Sequence, residues 1–138
     1  MLTKIQEKQI RQLAKKINLK YLYLFGSRAR GQIKPASDFD FAVKFDSEII
    51  KNTFRAKLKL MSELSIILKR DDVDVVDLEQ ADPILAFNII KDGQIIYSAN
   101  ERERIMDRVK IMQIYYDRQY YYNRHFKLAI GQMAHGRL

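Results

Sequence analysis

Apolar residues recur at three- and four-residue steps at the start of the chain, at Leu2, Ile5, Ile10, Leu13, Ala14 and Ile17. That spacing lines one side of a helix. Thr3 and Gln6 stand where a capping box would open it. Tyr21-Leu22-Tyr23-Leu24-Phe25 is a short aromatic and aliphatic run, which reads as a buried strand. Residues 26–37 break the pattern with two glycines, a proline and three positive charges. They predict a loop with at most one helical turn. Residues 38–45 then alternate, with Phe39, Phe41 and Val43 on one face and Asp38, Asp40 and Ala42 on the other.

Helical periodicity returns over residues 47–69, where Ile50, Phe54, Leu58, Met61, Leu64 and Leu68 form the expected apolar stripe. Residues 72–78 are β-branched and alternating, a third strand. Asp82-Pro83 supplies an N-cap followed by proline at the first helical position, so a short helix should run to residue 90. Asp92-Gly93 turns the chain into a short strand over residues 94–97. Asn100 and Glu103 form a second expected capping box, opening a long helix to about residue 127. No repeat, low-complexity tract or linker interrupts this order. It predicts an α/β (α+β) unit over residues 1–100 and a helical extension over residues 101–138.

Composition changes the picture in two ways. The formal charge is +8, from 25 basic and 17 acidic side chains, which suits a polyanionic ligand or an acidic partner. A solvated basic surface accounts for it equally well. Cysteine is absent, which excludes disulfides and thiolate metal sites. No apolar run approaches the ~18 residues of a membrane span, and the N-terminus has no signal-peptide character. A soluble, cytoplasmic protein is expected, with no membrane partner.

The chemistry concentrates in Leu24-Phe25-Gly26-Ser27-Arg28-Ala29-Arg30-Gly31 and Ser37-Asp38-Phe39-Asp40-Phe41. Strand residues two apart share a face, so Asp38 and Asp40 project side by side. Two carboxylates ~4 Å apart repel by ~4 kcal/mol at an effective dielectric near 20. A fold tolerates that when one carboxyl is protonated, when basic groups intervene, or when a divalent cation binds between them, and hard oxygen donors suit Mg²⁺. Glycine after a strand lets backbone come close to a ligand, while Ser27, Arg28 and Arg30 offer donors for phosphate oxygens. The loop is not a P-loop, because it lacks the lysine-serine or lysine-threonine ending. A third carboxylate is expected from Asp71-Asp72-Val73-Asp74-Val75-Val76-Asp77. Asp74 sits mid-strand between valines, where a carboxylate calls for a partner; Asp72 and Asp77 stay open as alternatives. A lone Asp-x-Asp pair is commonly a solvated strand edge, and a lone Gly-Ser is a turn. Their combination with a later aspartate-bearing strand is what points to catalysis.

Gly26-Ser27, ten intervening residues and Asp38-Phe39-Asp40 resemble the signature of the DNA polymerase β-like nucleotidyltransferases. Within these, the chain is most similar to the minimal nucleotidyltransferase (MNT) subgroup. The similarity extends through Val73-Asp74-Val75-Val76-Asp77-Leu78 and the run from Pro83 to Tyr97, covering about residues 1–100. The resemblance implies a polymerase β-like fold, with a small mixed sheet flanked by helices. It implies Mg²⁺ as cofactor, ATP as donor, and Asp38, Asp40 and Asp74 as catalytic metal ligands. Gly26, Ser27, Arg28, Arg30, Gly31 and Ser37 would then bind the nucleotide. MNT proteins of this size resemble the antitoxin of a two-component system whose toxin is a helical HEPN ribonuclease. In that family the antitoxin transfers AMP from ATP to a tyrosine of the toxin. Two other functions stay open: an antitoxin acting by binding alone, or nucleotidyl transfer to a small molecule or an RNA end.

The C-terminal segment adds a partner question. Ile105, Val109, Met112 and Tyr116, with Ile111, Ile114 and Tyr115 alongside, precede a stretch of tyrosines interleaved with arginines up to Phe126. A helix of this length runs ~40 Å, longer than a small core covers. Part of it is expected to meet a HEPN-type protein in a hetero-oligomer, as Tyr and Arg favour interfaces. Two alternatives are a fold-back in which the tyrosines cap the sheet, and stacking on single-stranded nucleic acid. His125 and His135 lack metal-ligand companions.

Overall fold

Local punctuation sets the elements. Thr3 accepts from the Gln6 N–H (3.1 Å) while the Gln6 side chain accepts from the Thr3 N–H (3.0 Å), closing the capping box. The helix it opens, α1, spans Lys4–Lys16. The computed structural model describes residues 2–26 and 38–134. Within them follow β1 (Leu19–Phe25), β2 (Phe39–Phe45), α2 (Thr53–Leu68), β3 (Val73–Asp77), α3 (Pro83–Asp92), β4 (Gln94–Ser98) and α4 (Glu101–Ala134). Asp82 caps α3 by accepting from the N–H groups of Ile84 and Leu85, with Pro83 next in the chain. At Gly93 the N–H still makes the last helical bond to Ile89 (2.7 Å) while the backbone turns extended (φ −72°, ψ 148°) and ends the helix; a Cβ there would lie 2.3 Å from the Ile89 carbonyl oxygen.

The four strands form one mixed sheet in the order β3-β2-β1-β4. β1 runs antiparallel to β2 and β4, while β2 and β3 are parallel and joined through α2. Alternation divides the sheet into two covered faces. Leu22, Leu24, Phe39, Phe41, Val43, Val73 and Val75 pack under α1 and α2. Tyr21, Tyr23 and Ala42 pack with α3 residues Ala86, Ile89 and Ile90 on the other face. Each fully buried side chain of this size contributes ~1.5–3 kcal/mol.

Two helix faces differ from the sequence expectation. Helix α2 begins at Thr53, not residue 47, and buries Leu60, Leu64 and Leu68. Phe54 and Leu58, placed in the apolar stripe by spacing, are 69% and 50% exposed. The expected stripe changed face midway along the helix; the core selects the single row spaced by four. In α4, Ile105 and Val109 are likewise half exposed, whereas Ile111 and Met112 of the expected set pack on the α3 side of the core and Tyr116 meets Phe87 edge-on while staying half exposed. The docking side is polar near its start. Lys20 pairs with Glu103 (2.6 Å), Arg104 donates to the Tyr23 hydroxyl (3.2 Å), and Asp107 accepts from Tyr21 (2.8 Å) and Lys44 (2.6 Å). Asn100 does accept from the Glu103 N–H (3.2 Å), but the Glu103 carboxylate goes to Lys20 instead of completing a capping box. Farther along, Tyr115 stacks on Phe87 of α3 (centroids 3.8 Å apart). Tyr120, Tyr121 and Tyr122 are exposed, so those three do not cap the sheet.

Candidate active site

The aspartates gather where β1 ends and β2 begins. Gly26 follows β1 with φ +78°, a left-handed conformation that glycine adopts without strain. Its neighbour Phe25 is paired with Asp40 across the β1–β2 ladder. A Cβ on Gly26 would lie 2.7 Å from the Asp40 Oδ2, so the bare glycine leaves the space over that carboxylate open.

Parallel pairing brings in the third carboxylate. Asp40 and Asp74 are register partners on β2 and β3, on strands ~4.8 Å apart. Because register partners share a face, both carboxylates belong to the side of the sheet that carries Ala42, with Asp38 two residues before Asp40. The other two candidates for the third carboxylate are engaged elsewhere. Asp72 is ion-paired with Arg70, whose guanidinium also lies over the Phe39 ring. Asp77 is buried on the opposite face and accepts from the Glu79 N–H (3.1 Å).

Charge is unbalanced here. Burial first, then the nearby Asp74 and Asp38 carboxylates, push Asp40 above the ordinary carboxylate range. Such a set of hard oxygen donors fits a divalent cation chemically. In the present conformation one Asp74 oxygen accepts from the Val75 N–H (2.9 Å). Among the described residues, no three acidic or histidine side chains converge tightly enough to hold an ion as they stand. Asp38, Asp40, Asp74 and Gly26 are thus neighbours, as the sequence led us to expect. Ser27, Arg28, Arg30, Gly31 and Ser37 lie outside the described residues.

Sequence reasoning missed the polar clamp that holds α4, made of Lys44, Asp107, Tyr21, Tyr23, Glu103 and Arg104. The clue was present. Tyr21 and Tyr23 alternate with leucines, which puts two hydroxyls on one face, and Lys44 continues the Asp38–Asp40–Ala42 row. Burial and the bond to Asp107 raise the Tyr21 hydroxyl's pKa, so it stays a proton donor to that carboxylate. Among the described residues, no helix is long and apolar enough to cross a membrane.

Comparison with known proteins adds to this geometry. Residues 7–102 match the family described as Polymerase beta, Nucleotidyltransferase. The chain is 34% identical over 116 residues to the Protein adenylyltransferase MntA of Aphanizomenon flos-aquae, covering 78% of this chain and 77% of that one. A crystal structure of a toxin–antitoxin with AMP-PNP superposes with a TM-score of 0.68 at 25% identity, over 90% of this chain and 98% of that chain. A tri-AMPylated Shewanella oneidensis HEPN toxin in complex with an MNT antitoxin gives a TM-score of 0.69 at 24% identity, over 94% and 99% of the two chains, a likeness of fold.

Proposed function

We propose a function from one premise: the chain belongs to the polymerase beta nucleotidyltransferase family, among relatives of the MntA protein adenylyltransferases. It is an adenylyltransferase that moves AMP from ATP to a tyrosine of a HEPN-type partner, acting as that partner's antitoxin. The reading rests above all on the in-register Asp40–Asp74 pair beside Asp38 and the uncovered Gly26. The adenylyltransferase activity named for the Aphanizomenon relative and the AMP-PNP in the toxin–antitoxin neighbour support ATP as donor.

Asp38, Asp40 and Asp74 are the proposed ligands of Mg²⁺, which when bound supplies charge neutralisation for the triphosphate and the attacking oxygen. Gly26 keeps the space over Asp40 clear, and Ser27, Arg28, Arg30, Gly31 and Ser37 are the proposed nucleotide contacts. The phenolic oxygen forms a bond to the α-phosphorus as the bond to the bridging oxygen of the β-phosphate breaks. Pyrophosphate leaves, and the phenolic proton passes to the carboxylate cluster. The nucleotidyltransferase domain is proposed to occupy residues 1–100, with residues 101–138 as the partner-binding extension of a cytoplasmic hetero-oligomer. The exposed apolar row Ile105, Val109 and Tyr116 and the exposed tyrosines beyond it support that assignment.

The test is the Asp38→Asn/Asp40→Asn double variant, assayed with α-phosphate-labelled ATP, Mg²⁺ and the partner. Loss of labelling is expected, and full labelling would overturn the mechanism. The exposed outer half of α4 favours a second reading, neutralisation by contact alone. A double variant that still silences the partner would select it.

A further inference from the structure

Helix α4 keeps one line of side chains against the body and then outruns it. On that line Ile111 packs on the α3 side of the core and Tyr115 stacks on Phe87. Eleven residues make about three turns of helix, so Tyr122 and Phe126 continue the line of Ile111 and Tyr115, and Met133 continues it again. These three side chains are 70%, 57% and 63% exposed, where α4 has run past the N-terminal end of α3. The corner between the two helices holds a groove of about 1150 Å³. Pro83 and Ile84 of α3 form one wall, and Tyr115, Arg118 and Tyr122 of α4 form the other. Ile84 is exposed as well. The line that packs inside the molecule thus continues as an apolar stripe without a partner in the described chain.

We infer that this corner seats a helix of the partner protein, its apolar face laid along Tyr122, Phe126 and Met133 and its flanks acidic. The inference rests on the adenylyl-transfer reading for the existence of a partner, and names the face and the form in which that partner docks. Both walls are helices, whose backbone groups bond within themselves and leave only side chains to offer. An occupant held by side chains alone must satisfy its own backbone, which a helix does. The stripe from Tyr122 to Met133 rises ~17 Å, about three turns of such a helix. Charge sets the flanks. The chain carries +8, and residues 117–134 hold Arg118, Arg124 and Lys127 against Asp117. That excess sets two copies against each other and draws an acidic partner. Of the acids at the groove, Asp82 is engaged in capping α3, and Asp117 lies about half a turn round α4 from the stripe. Pro83, Ile84 and Met133 give a base no plane to stack on, which disfavours single-stranded RNA.

Two capped helical peptides of roughly 18 residues test this, each long enough to run beside residues 117–134. Both carry leucine on one face; one has glutamate on its flanks and the other lysine. Fluorescence anisotropy without ATP should show the glutamate peptide binding at least tenfold more tightly. The Tyr122→Ser/Phe126→Ser/Met133→Ser variant should weaken that binding tenfold or more. Ile105→Ser/Val109→Ser/Tyr120→Ser, on the other exposed row, should stay within twofold; both sets alter exposed positions only. Amide exchange over residues 117–133 should slow with the glutamate peptide. Equal binding of the two peptides, equal losses in the two variants, or unchanged exchange overturns the docking face. Because binding is read without ATP, the two claims separate. Binding intact with no label transfer to the partner sinks the transfer reading and leaves the corner standing. Transfer at the parent rate by the Tyr122/Phe126/Met133 variant sinks the corner and leaves the reading. A mass that rises with concentration for the protein alone, and reverts in that variant, would assign the stripe to a second copy. A labelled oligouridine held by the same three residues would assign it to RNA, and either result overturns the proposal.

Discussion

Replacing Gly26 by alanine tests whether Asp40 is held in its working position by the absence of a side chain. Two effects add. At φ +78° an alanine is strained, which costs about 1–2 kcal/mol. The new Cβ would stand 2.7 Å from Asp40 Oδ2. The carboxylate must then retreat by roughly 0.7 Å to reach ordinary contact, and misplacements near 1 Å cost on the order of 10²-fold in rate. Gly26→Ala should thus lower the melting temperature by ~3–8 °C and lower kcat for AMP transfer by about 10- to 100-fold. Gly26→Asn separates the two effects, since asparagine tolerates the left-handed region but still carries a Cβ. It should recover part of the stability and none of the rate. Thermal denaturation and initial rates of label transfer read the two quantities. An alanine variant with kcat within twofold of the parent would refute the reasoning, as would an asparagine variant with full activity.

Asp40→Asn should stabilise the metal-free protein at pH 7 even as it abolishes transfer. A carboxylate whose folded pKa is raised destabilises the fold once ionised. That penalty grows as pH rises from the unfolded value near ~3.9 and is complete above the folded value. The advantage of the asparagine variant should therefore close by pH 3; denaturation curves showing the same difference at pH 3 and pH 7 would contradict it. Removing Mg²⁺ with a chelator should abolish label transfer and readdition should restore it, so undiminished transfer in excess chelator would exclude the metal. Phe87→Ala removes the ring stacked on Tyr115 and should cost about 1–2 kcal/mol. Faster amide exchange over residues 108–118 would register it, and unchanged exchange there would show that the stack does not hold α4.

The elements were legible because local chemistry fixed them: the Thr3–Gln6 box, Asp82-Pro83, Gly93, and the alternation in β2 and β3. The neighbouring positions of Asp40 and Asp74 were only half legible. Periodicity put each aspartate on a strand, but the parallel register that makes them partners is a tertiary fact. Helix faces were read less well. In α2, Phe54 and Leu58 have a spacing as good as that of Leu60, Leu64 and Leu68, and only the position of the sheet chooses between the rows. In α4 the docking face is charged near its start and apolar farther on, so the expected stripe mixes packed residues (Ile111, Met112, Tyr115) with exposed ones (Ile105, Val109). Hydrophobic pattern finds a face that packs by oil, not one that packs by Lys44, Asp107 and two tyrosine hydroxyls.

That polar clamp relates the two ends of the proposed reaction. Asp38, Asp40, Ala42 and Lys44 share one face of β2, and Lys44 grips Asp107 of α4 (2.6 Å) four residues from Asp40, a separation of ~13 Å along the strand. Beyond the Phe87–Tyr115 stack, residues 117–134 of α4 run on for about 27 Å as a helix. A partner held by this outer segment is therefore positioned relative to the carboxylates through a single strand. A tyrosine-bearing segment free in solution reaches the carboxylates only by diffusion. Anchoring the same segment through α4 would raise its local concentration to the millimolar range. Deleting residues 117–138 should then leave stability within ~1 kcal/mol, since exposed residues dominate the described part of that stretch. Transfer to the partner protein should fall by about 10²-fold or more while transfer to a free peptide is unchanged. Equal losses on both acceptors would mean that the outer helix supports the site itself, and the anchoring role would be wrong.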